Sequence, residues 1–149
     1  MFDRILVIGA TGLLGRPVVN RLTEGGRTVR ILTRSAGKAQ TMFGNTVEIA
    51  EGSATNIGDV RSAMAGCDAV HITLSPATEY IATSHVIDVA DGQLGRLGYV
   101  SATTLSEENR WFARADTKMR CELTLRLRPP SSMPTSHQAK TIAKSPMAA

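Results

Sequence analysis

Short apolar runs alternate with longer amphipathic segments along most of the chain. The first run is Ile5 to Ile8, and similar runs lie at 28–33, 47–51, 68–74 and 97–101. Apolar runs of this length between turn signals predict buried strands. The residues between the runs repeat at helical spacing, so the pattern predicts five strands that alternate with helices.

Glycines and capping residues set the expected helix ends. A glycine at position 25, 44, 66 or 92 follows each of four helical segments, where a left-handed residue often ends a helix. The predicted helices follow Gly15 and then span about 36–43, 56–65, 79–91 and 107–125. The apolar positions expected to face the sheet are Leu14, Val18 and Leu22 in the first helix, Ile57, Val60 and Met64 in the third, and Ile81, Val86, Val89 and Ala90 in the fourth.

Strands that alternate with helices favour the α/β class, because parallel strands need a crossover connection that is usually a helix. We therefore predict a Rossmann-type doubly wound parallel sheet of five strands in the order 3-2-1-4-5, with right-handed crossovers. In this topology the ligand crevice lies between strands one and four, at the carboxyl edge of the sheet.

The link between the first strand and the first helix is rich in glycine and reads GATGLLG from Gly9 to Gly15. Gly9 lets the chain turn sharply, Gly12 leaves room for a phosphate beside the backbone, and Gly15 lets the helix lie close to the sheet. Unpaired amides at the start of the helix attract phosphate, and the Thr11 hydroxyl adds a donor. The pattern indicates a dinucleotide site, and a tight turn without a ligand is the alternative.

Charge at the end of the second strand bears on the choice of dinucleotide. An NAD-selective site places Asp or Glu there to bind the ribose hydroxyls, whereas this chain has Arg34, followed by Lys38. Two cations suit a 2′-phosphate, which favours NADP as the cofactor, with NAD as the alternative. The competing interpretation is that both side chains are solvated loop charges.

Composition narrows the classes of function. Of the 149 residues, 42% are hydrophobic and 4% are aromatic, which predicts one domain with a real core and few platforms for base stacking. The net charge of +4 arises at the C-terminal end, because 126–149 holds four basic residues and no acidic ones. The body is therefore neutral and gives no case for nucleic-acid binding.

Cysteine usage and segment lengths bear on compartment and boundaries. Cys67 and Cys121 predict neither a metal site nor a disulfide framework. Neither a signal peptide nor a membrane span is recognisable, so we expect a cytoplasmic protein without a membrane partner. Four of the six prolines lie beyond position 128, among small polar residues. We therefore predict a dinucleotide-binding domain at 1–127 and a disordered tail at 128–149.

Four stretches, ILVIGATGLLGRPVV, VRILTRS, GCDAVHITLSP and YVSATT, resemble the atypical short-chain dehydrogenase/reductases, in particular the NmrA-like NAD(P)-binding proteins and related NADPH-dependent reductases. The resemblance spans about Arg4 to Leu125. It implies that the pyrophosphate lies against Gly9, Thr11, Gly12, Leu13, Leu14 and Gly15, the 2′-phosphate against Arg34 and Lys38, and the nicotinamide-side ribose near Leu74, Ser75 and Pro76. Where family members often have an adenine-contacting Asp, this chain has Ser53.

The catalytic pattern departs from the superfamily. Many short-chain dehydrogenases pair a Tyr with a Lys four residues later, and here Arg114 stands four residues before Lys118. The resemblance makes Lys118 the best catalytic candidate, with Ser101 and Thr103 as polar neighbours; an exposed helix lysine is the alternative. Family members also continue into a smaller substrate-selecting region, whereas this chain turns into PPSSMPTSHQAK, so we expect a C-terminal truncation, natural or by a change of reading frame near Leu127.

Three functions stay open at this point. The first is NADPH-dependent reduction of a small carbonyl or quinone substrate, in which the cofactor carries the hydride chemistry. The second is a non-enzymatic NADP sensor that binds a regulatory protein partner. The third is an inactive remnant with an unfilled sheet edge.

Overall fold

The computed structural model describes residues 2–101, 108 and 113–128, and these form five parallel strands alternating with five helices. The elements are β1 (Arg4–Ile8), α1 (Gly15–Glu24), β2 (Thr28–Thr33), α2 (Ala36–Phe43), β3 (Glu48–Glu51), α3 (Ile57–Met64), β4 (Ala69–Ile72), α4 (Pro76–Ala90), β5 (Arg96–Tyr99) and α5 (Ala113–Leu127). The strand order is β3-β2-β1-β4-β5, which confirms the predicted topology.

The register brings the carboxyl ends of the central strands to one edge of the sheet. Ile8 at the end of β1 is opposite Leu32 of β2 on one side and Ile72 of β4 on the other. The strand order reverses direction at β1 and β4, and in open α/β sheets ligands bind outside the carboxyl ends at such a point.

Each face of β1 is covered by a different helix layer. Leu6 is fully buried in a cluster with Val60 of α3 and Val86 of α4. Val7 points the other way and is fully buried with Val19 of α1. Burial of each such side chain contributes about 1.5–3 kcal/mol, so the central strand is anchored from both sides.

The predicted buried face of three helices is wrong at one position each. Leu14 precedes α1 and is 59% exposed, and the buried positions of that helix are Gly15 and Val19. Ile57 begins α3 and is exposed, since the first residue of a helix lies beyond the sheet-covered turn. Ile81 of α4 is exposed as well.

Element ends differ from the prediction most at α4. This helix starts at Pro76 rather than at residue 79, because proline at the first helical position already has a suitable φ and needs no amide partner. Its end is set by Asp91, which has a positive φ of 44° and stands just before the predicted terminator Gly92. The predicted tail lies outside the described residues except for Arg128, and so do residues 107 and 109–112 of the predicted last helix.

Two further properties of the described residues bear on other classes of function. No helix among them combines the length and the apolar character needed to cross a membrane. They also contain no group of three or more His, Cys, Asp or Glu side chains arranged to hold a metal ion.

Candidate functional site

The glycine-rich turn after β1 is shaped by close contacts within the chain. Gly9 has a φ of +92°, and a Cβ there would lie 2.0 Å from the carbonyl oxygen of Thr73. A Cβ on Gly15 would lie 2.1 Å from the carbonyl oxygen of Gly9. Gly15 was predicted to bring the helix close to the sheet, and its actual close contact is the backbone of the turn itself.

Gly12 and its neighbours leave the start of α1 open. Among the described residues, a Cβ on Gly12 would meet only the Gly9 carbonyl oxygen, at 3.3 Å. The N-cap residue Leu14 provides no side-chain acceptor, and Leu13 is 91% exposed. The Arg16 amide donates to the Gly12 carbonyl at 3.1 Å, which closes the first turn. The Gly12 amide donates to the Gly9 carbonyl at 3.1 Å, so the amides that can meet an anionic ligand are those of residues 13 to 15.

A cleft of about 280 Å³ lies beside this turn at the carboxyl edge of the sheet. Seven of the predicted cofactor residues line it, namely Gly9, Thr11, Arg34, Lys38, Ser53, Leu74 and Ser75. The other five, Gly12, Leu13, Leu14, Gly15 and Pro76, are not among its lining residues. The sequence interpretation missed Thr33, Ser35, Thr55 and Thr78, which supply hydroxyl groups to the same walls.

The β2 side of the cleft is basic. Arg34 and Lys38 are both exposed, and Ser35 caps α2 by accepting from the Lys38 amide at 3.4 Å. One acidic side chain was not foreseen here: a Glu51 carboxylate oxygen accepts from the Ala36 amide at 3.4 Å. The start of α2 thus carries two cations and one carboxylate, the mixture that a 2′-phosphate would meet.

The loop after β3 is held in place by contacts with side chains of α3 and α4. The Ser53 amide donates to the Asp59 carboxylate at 2.8 Å, and the Ser53 hydroxyl lies 2.8 Å from that of Thr55. A ring nitrogen of His85 on α4 lies 3.2 Å from the Ala54 carbonyl oxygen. Ser53 therefore sits on a tethered loop in the wall where the family resemblance places the adenine.

Lys118 lies in a buried polar cluster between α4 and α5. It is 9% exposed, so the interpretation as an exposed helix lysine is wrong. Its Nζ donates to a Glu79 carboxylate oxygen at 2.5 Å and to the Val100 carbonyl, and it lies 4.8 Å from the centroid of the Tyr99 ring. Lys118 does not line the described cleft.

The predicted neighbours of Lys118 are placed differently from one another. The Ser101 hydroxyl donates to the Glu122 carboxylate rather than to Lys118. Thr103 lies outside the described residues. Glu79 is the neighbour that sequence reasoning missed, and the pattern of α4 did not reveal it, because an acidic residue in the first turn of a helix is ordinary.

Burial controls the protonation of this cluster. Burial raises the pKa of Glu79, and the Lys118 ammonium opposes that change. Burial also raises the pKa of the Cys121 thiol and of the Tyr99 phenol. Cys121 is fully buried, so it packs as a small apolar side chain and is a poor nucleophile.

The residues present fit a dinucleotide. The space beside Gly12 and the amides before α1 suit a pyrophosphate, and the basic start of α2 suits a phosphate on the adenosine ribose. The cleft joins these two regions through Gly9 and Thr11. The fold and site together define an α/β protein with a dinucleotide cleft at the topological switch point of a parallel sheet.

The family comparison agrees with this class. The family model described as NAD(P)H-binding matches residues 9–141, and the chain belongs to that family. A curated relative, the (4-alkanoyl-5-oxo-2,5-dihydrofuran-3-yl)methyl phosphate reductase of Streptomyces griseus, is 40% identical over 75 residues. That alignment covers 50% of this chain and 26% of the relative, so the chain spans about a quarter of the relative's length.

Solved structures share the fold. The anaerobillin reductase ChuY from Escherichia coli O157:H7 superposes with a TM-score of 0.72 at 23% identity, over 85% of this chain and 68% of that one. The triphenylmethane reductase of Citrobacter sp., complexed with NADP(H), gives a TM-score of 0.69 at 21% identity, over 83% of this chain and 45% of that one.

Proposed function

We propose that the protein binds NADP(H) in the described cleft and supports NADPH-dependent reduction of a small carbonyl or quinone compound. The observation that carries the proposal is the meeting of the glycine turn, the Arg34 and Lys38 cations and the Ser53 loop around one cleft. The family membership and the NADP(H) complex of the Citrobacter reductase support the choice of cofactor. The name of the Streptomyces relative supports a small oxygen-rich substrate.

In this proposal each part of the chain has a binding task. Backbone amides before α1 and the Thr11 hydroxyl hold the pyrophosphate, and Arg34 and Lys38 hold the 2′-phosphate. Leu74, Ser75 and Pro76 meet the ribose on the nicotinamide side. The bound cofactor supplies a hydride to the substrate carbon. Lys118 holds the ribose on the nicotinamide side and is the catalytic candidate.

Calorimetric titration of NADPH and NADH tests the cofactor preference. Arg34→Ala removes a charge-assisted contact with the 2′-phosphate, so we expect NADPH affinity to fall about tenfold or more while NADH affinity holds. Arg21→Ala is the matched control, because Arg21 lies at the far end of α1 and outside the cleft. Equal weakening of both dinucleotides by Arg34→Ala would refute the 2′-phosphate role.

A second candidate is a non-enzymatic NADP sensor with a regulatory protein partner. The observation that favours it is Arg114, an exposed arginine at the position where many short-chain dehydrogenases carry the catalytic tyrosine. Following NADPH oxidation against a panel of quinones and aldehydes separates the two candidates. Turnover of any compound supports the reductase, whereas tight NADPH binding without turnover supports the sensor.

A further inference from the structure

The pair formed by Glu79 and Lys118 is one residue removed along α4 from a residue of the cleft wall. Thr78 lines the cleft, and the next residue, Glu79, is fully buried on the inner side of α4. The Lys118 ammonium joins this carboxylate to the Val100 carbonyl, just past the end of β5. The Val100 amide in turn donates to the Ile72 carbonyl at 3.4 Å, so the pair is tied to the carboxyl end of β4.

The position of this pair along the sheet matches one half of a dinucleotide. The basic residues of the cleft stand at the end of β2, on the opposite side of β1 from β4 and β5. A dinucleotide whose 2′-phosphate lies at β2 and whose pyrophosphate lies at the turn after β1 extends its other half toward β4 and β5. The buried ammonium therefore lies on the side of the nicotinamide ribose.

Packing alone gives a weak account of this pair. A buried ion pair contributes little to stability relative to apolar residues of the same volume, because both charges lose their hydration. Moreover, only one carboxylate oxygen of Glu79 is used: the other is buried and has no hydrogen-bond partner within the described part of the chain. A half-satisfied carboxylate is costly, so a task for the charge itself explains its presence better.

We propose that Glu79 is a positioning residue, whose buried carboxylate holds the Lys118 ammonium in place and aims it at the nicotinamide half of the cofactor. The proposal rests on the proposed function for the cofactor site. Glu79 itself touches no cofactor in this arrangement and acts through Lys118. The Tyr99 ring also packs against the ammonium, with its centroid 4.8 Å from Nζ, and this contact further restricts the lysine.

Two ligands that differ only in the nicotinamide half provide the test. We compare calorimetric binding of NADPH with binding of 2′,5′-ADP, which has the 2′-phosphate but no nicotinamide. Glu79→Gln keeps the shape and removes the charge, so we expect NADPH affinity to fall about tenfold while 2′,5′-ADP affinity is unchanged. Asp88→Asn is the matched control, since Asp88 forms an exposed ion pair between the same region of α4 and Arg128 at 2.6 Å.

The possible results separate the two proposals. If Glu79→Gln weakens both ligands equally, or neither, Glu79 has no positioning role and the proposal is overturned. If the wild-type protein binds neither ligand, the proposed function itself fails. Should Glu79→Gln not fold, Glu79→Asp decides alone, because it keeps the charge but shortens the reach: weaker NADPH with unchanged 2′,5′-ADP supports positioning, and unchanged NADPH refutes it.

Discussion

The turn at Gly9 allows a prediction whose magnitude follows from the backbone. Gly9→Ala places a methyl group 2.0 Å from the Thr73 carbonyl oxygen, at a φ of +92°. The positive φ costs about 1–2 kcal/mol for an L-residue. The methyl group also overlaps Thr73, directly after β4, and moving the chain to relieve this overlap costs about 1–3 kcal/mol more. We therefore expect a loss of about 2–5 kcal/mol, a large share of the stability of an ordinary domain.

A second glycine with a positive φ separates the free-energy cost of the clash from that of the backbone conformation. Gly26 has a similar φ of +74°, and no atom of the described part of the chain would lie within 4 Å of a Cβ there. Gly26→Ala should therefore cost only about 1–2 kcal/mol. Urea unfolding followed by circular dichroism measures both variants, with the m-value as a check on two-state behaviour. If Gly9→Ala costs no more than Gly26→Ala, the close approach of Gly9 to Thr73 is not real, and the geometry of the turn must be revised.

Three further substitutions test other parts of the site. Gly12→Ala should lower NADPH affinity about tenfold or more with only a small change in the midpoint of unfolding, because its methyl group fills space beside the turn and meets a single described atom, the Gly9 carbonyl oxygen at 3.3 Å; calorimetry beside thermal unfolding measures both. Glu51→Gln removes a carboxylate that accepts from the first amide of α2, so NADPH affinity should rise about two- to fivefold relative to NADH in paired titrations. Burial lowers the pKa of His71, so the unfolded chain takes up its proton first and stability should fall as the pH drops below about 6.5. His71→Gln should flatten that slope in thermal unfolding at pH 5 to 7, and an unchanged slope would exclude His71 as its source.

Local signals explain which parts of the fold were predictable. The bounds of β2 and α2 match the prediction at every residue, because an apolar strand, a Ser35 cap and a terminating Gly44 all lie within that segment. The error at Leu14 has a physical cause as well. An apolar residue next to a glycine turn fits the helical period, but there the period ends at the turn, and Leu14 faces outward. Periodicity does not distinguish a sheet-facing residue from one beside a ligand site.

The buried cluster around Lys118 depends on a contact between two helices, which a sequence pattern does not contain. Glu79 is fully buried whereas Ile81, two residues later, is 45% exposed, the reverse of what hydropathy predicts. The reason is Lys118, which lies 39 residues further along and becomes its partner only when α5 packs on α4. A pattern read within one helix carries no information about a charge supplied by another, so Gly9, Thr11, Arg34 and Lys38 of the cleft were foreseen and Glu79 was not.

The three glycines of the turn are required for different physical reasons. Gly9 and Gly15 are required by the chain itself, because a side chain at either position would overlap backbone atoms about 2 Å away. Gly12 has no such requirement, since alanine would make a single tight contact there. Alanine would also reduce the conformational entropy lost on folding. Folding therefore does not require glycine at position 12 as it does at positions 9 and 15. The proposed dinucleotide would account for this glycine, because its phosphates would approach the backbone at that point.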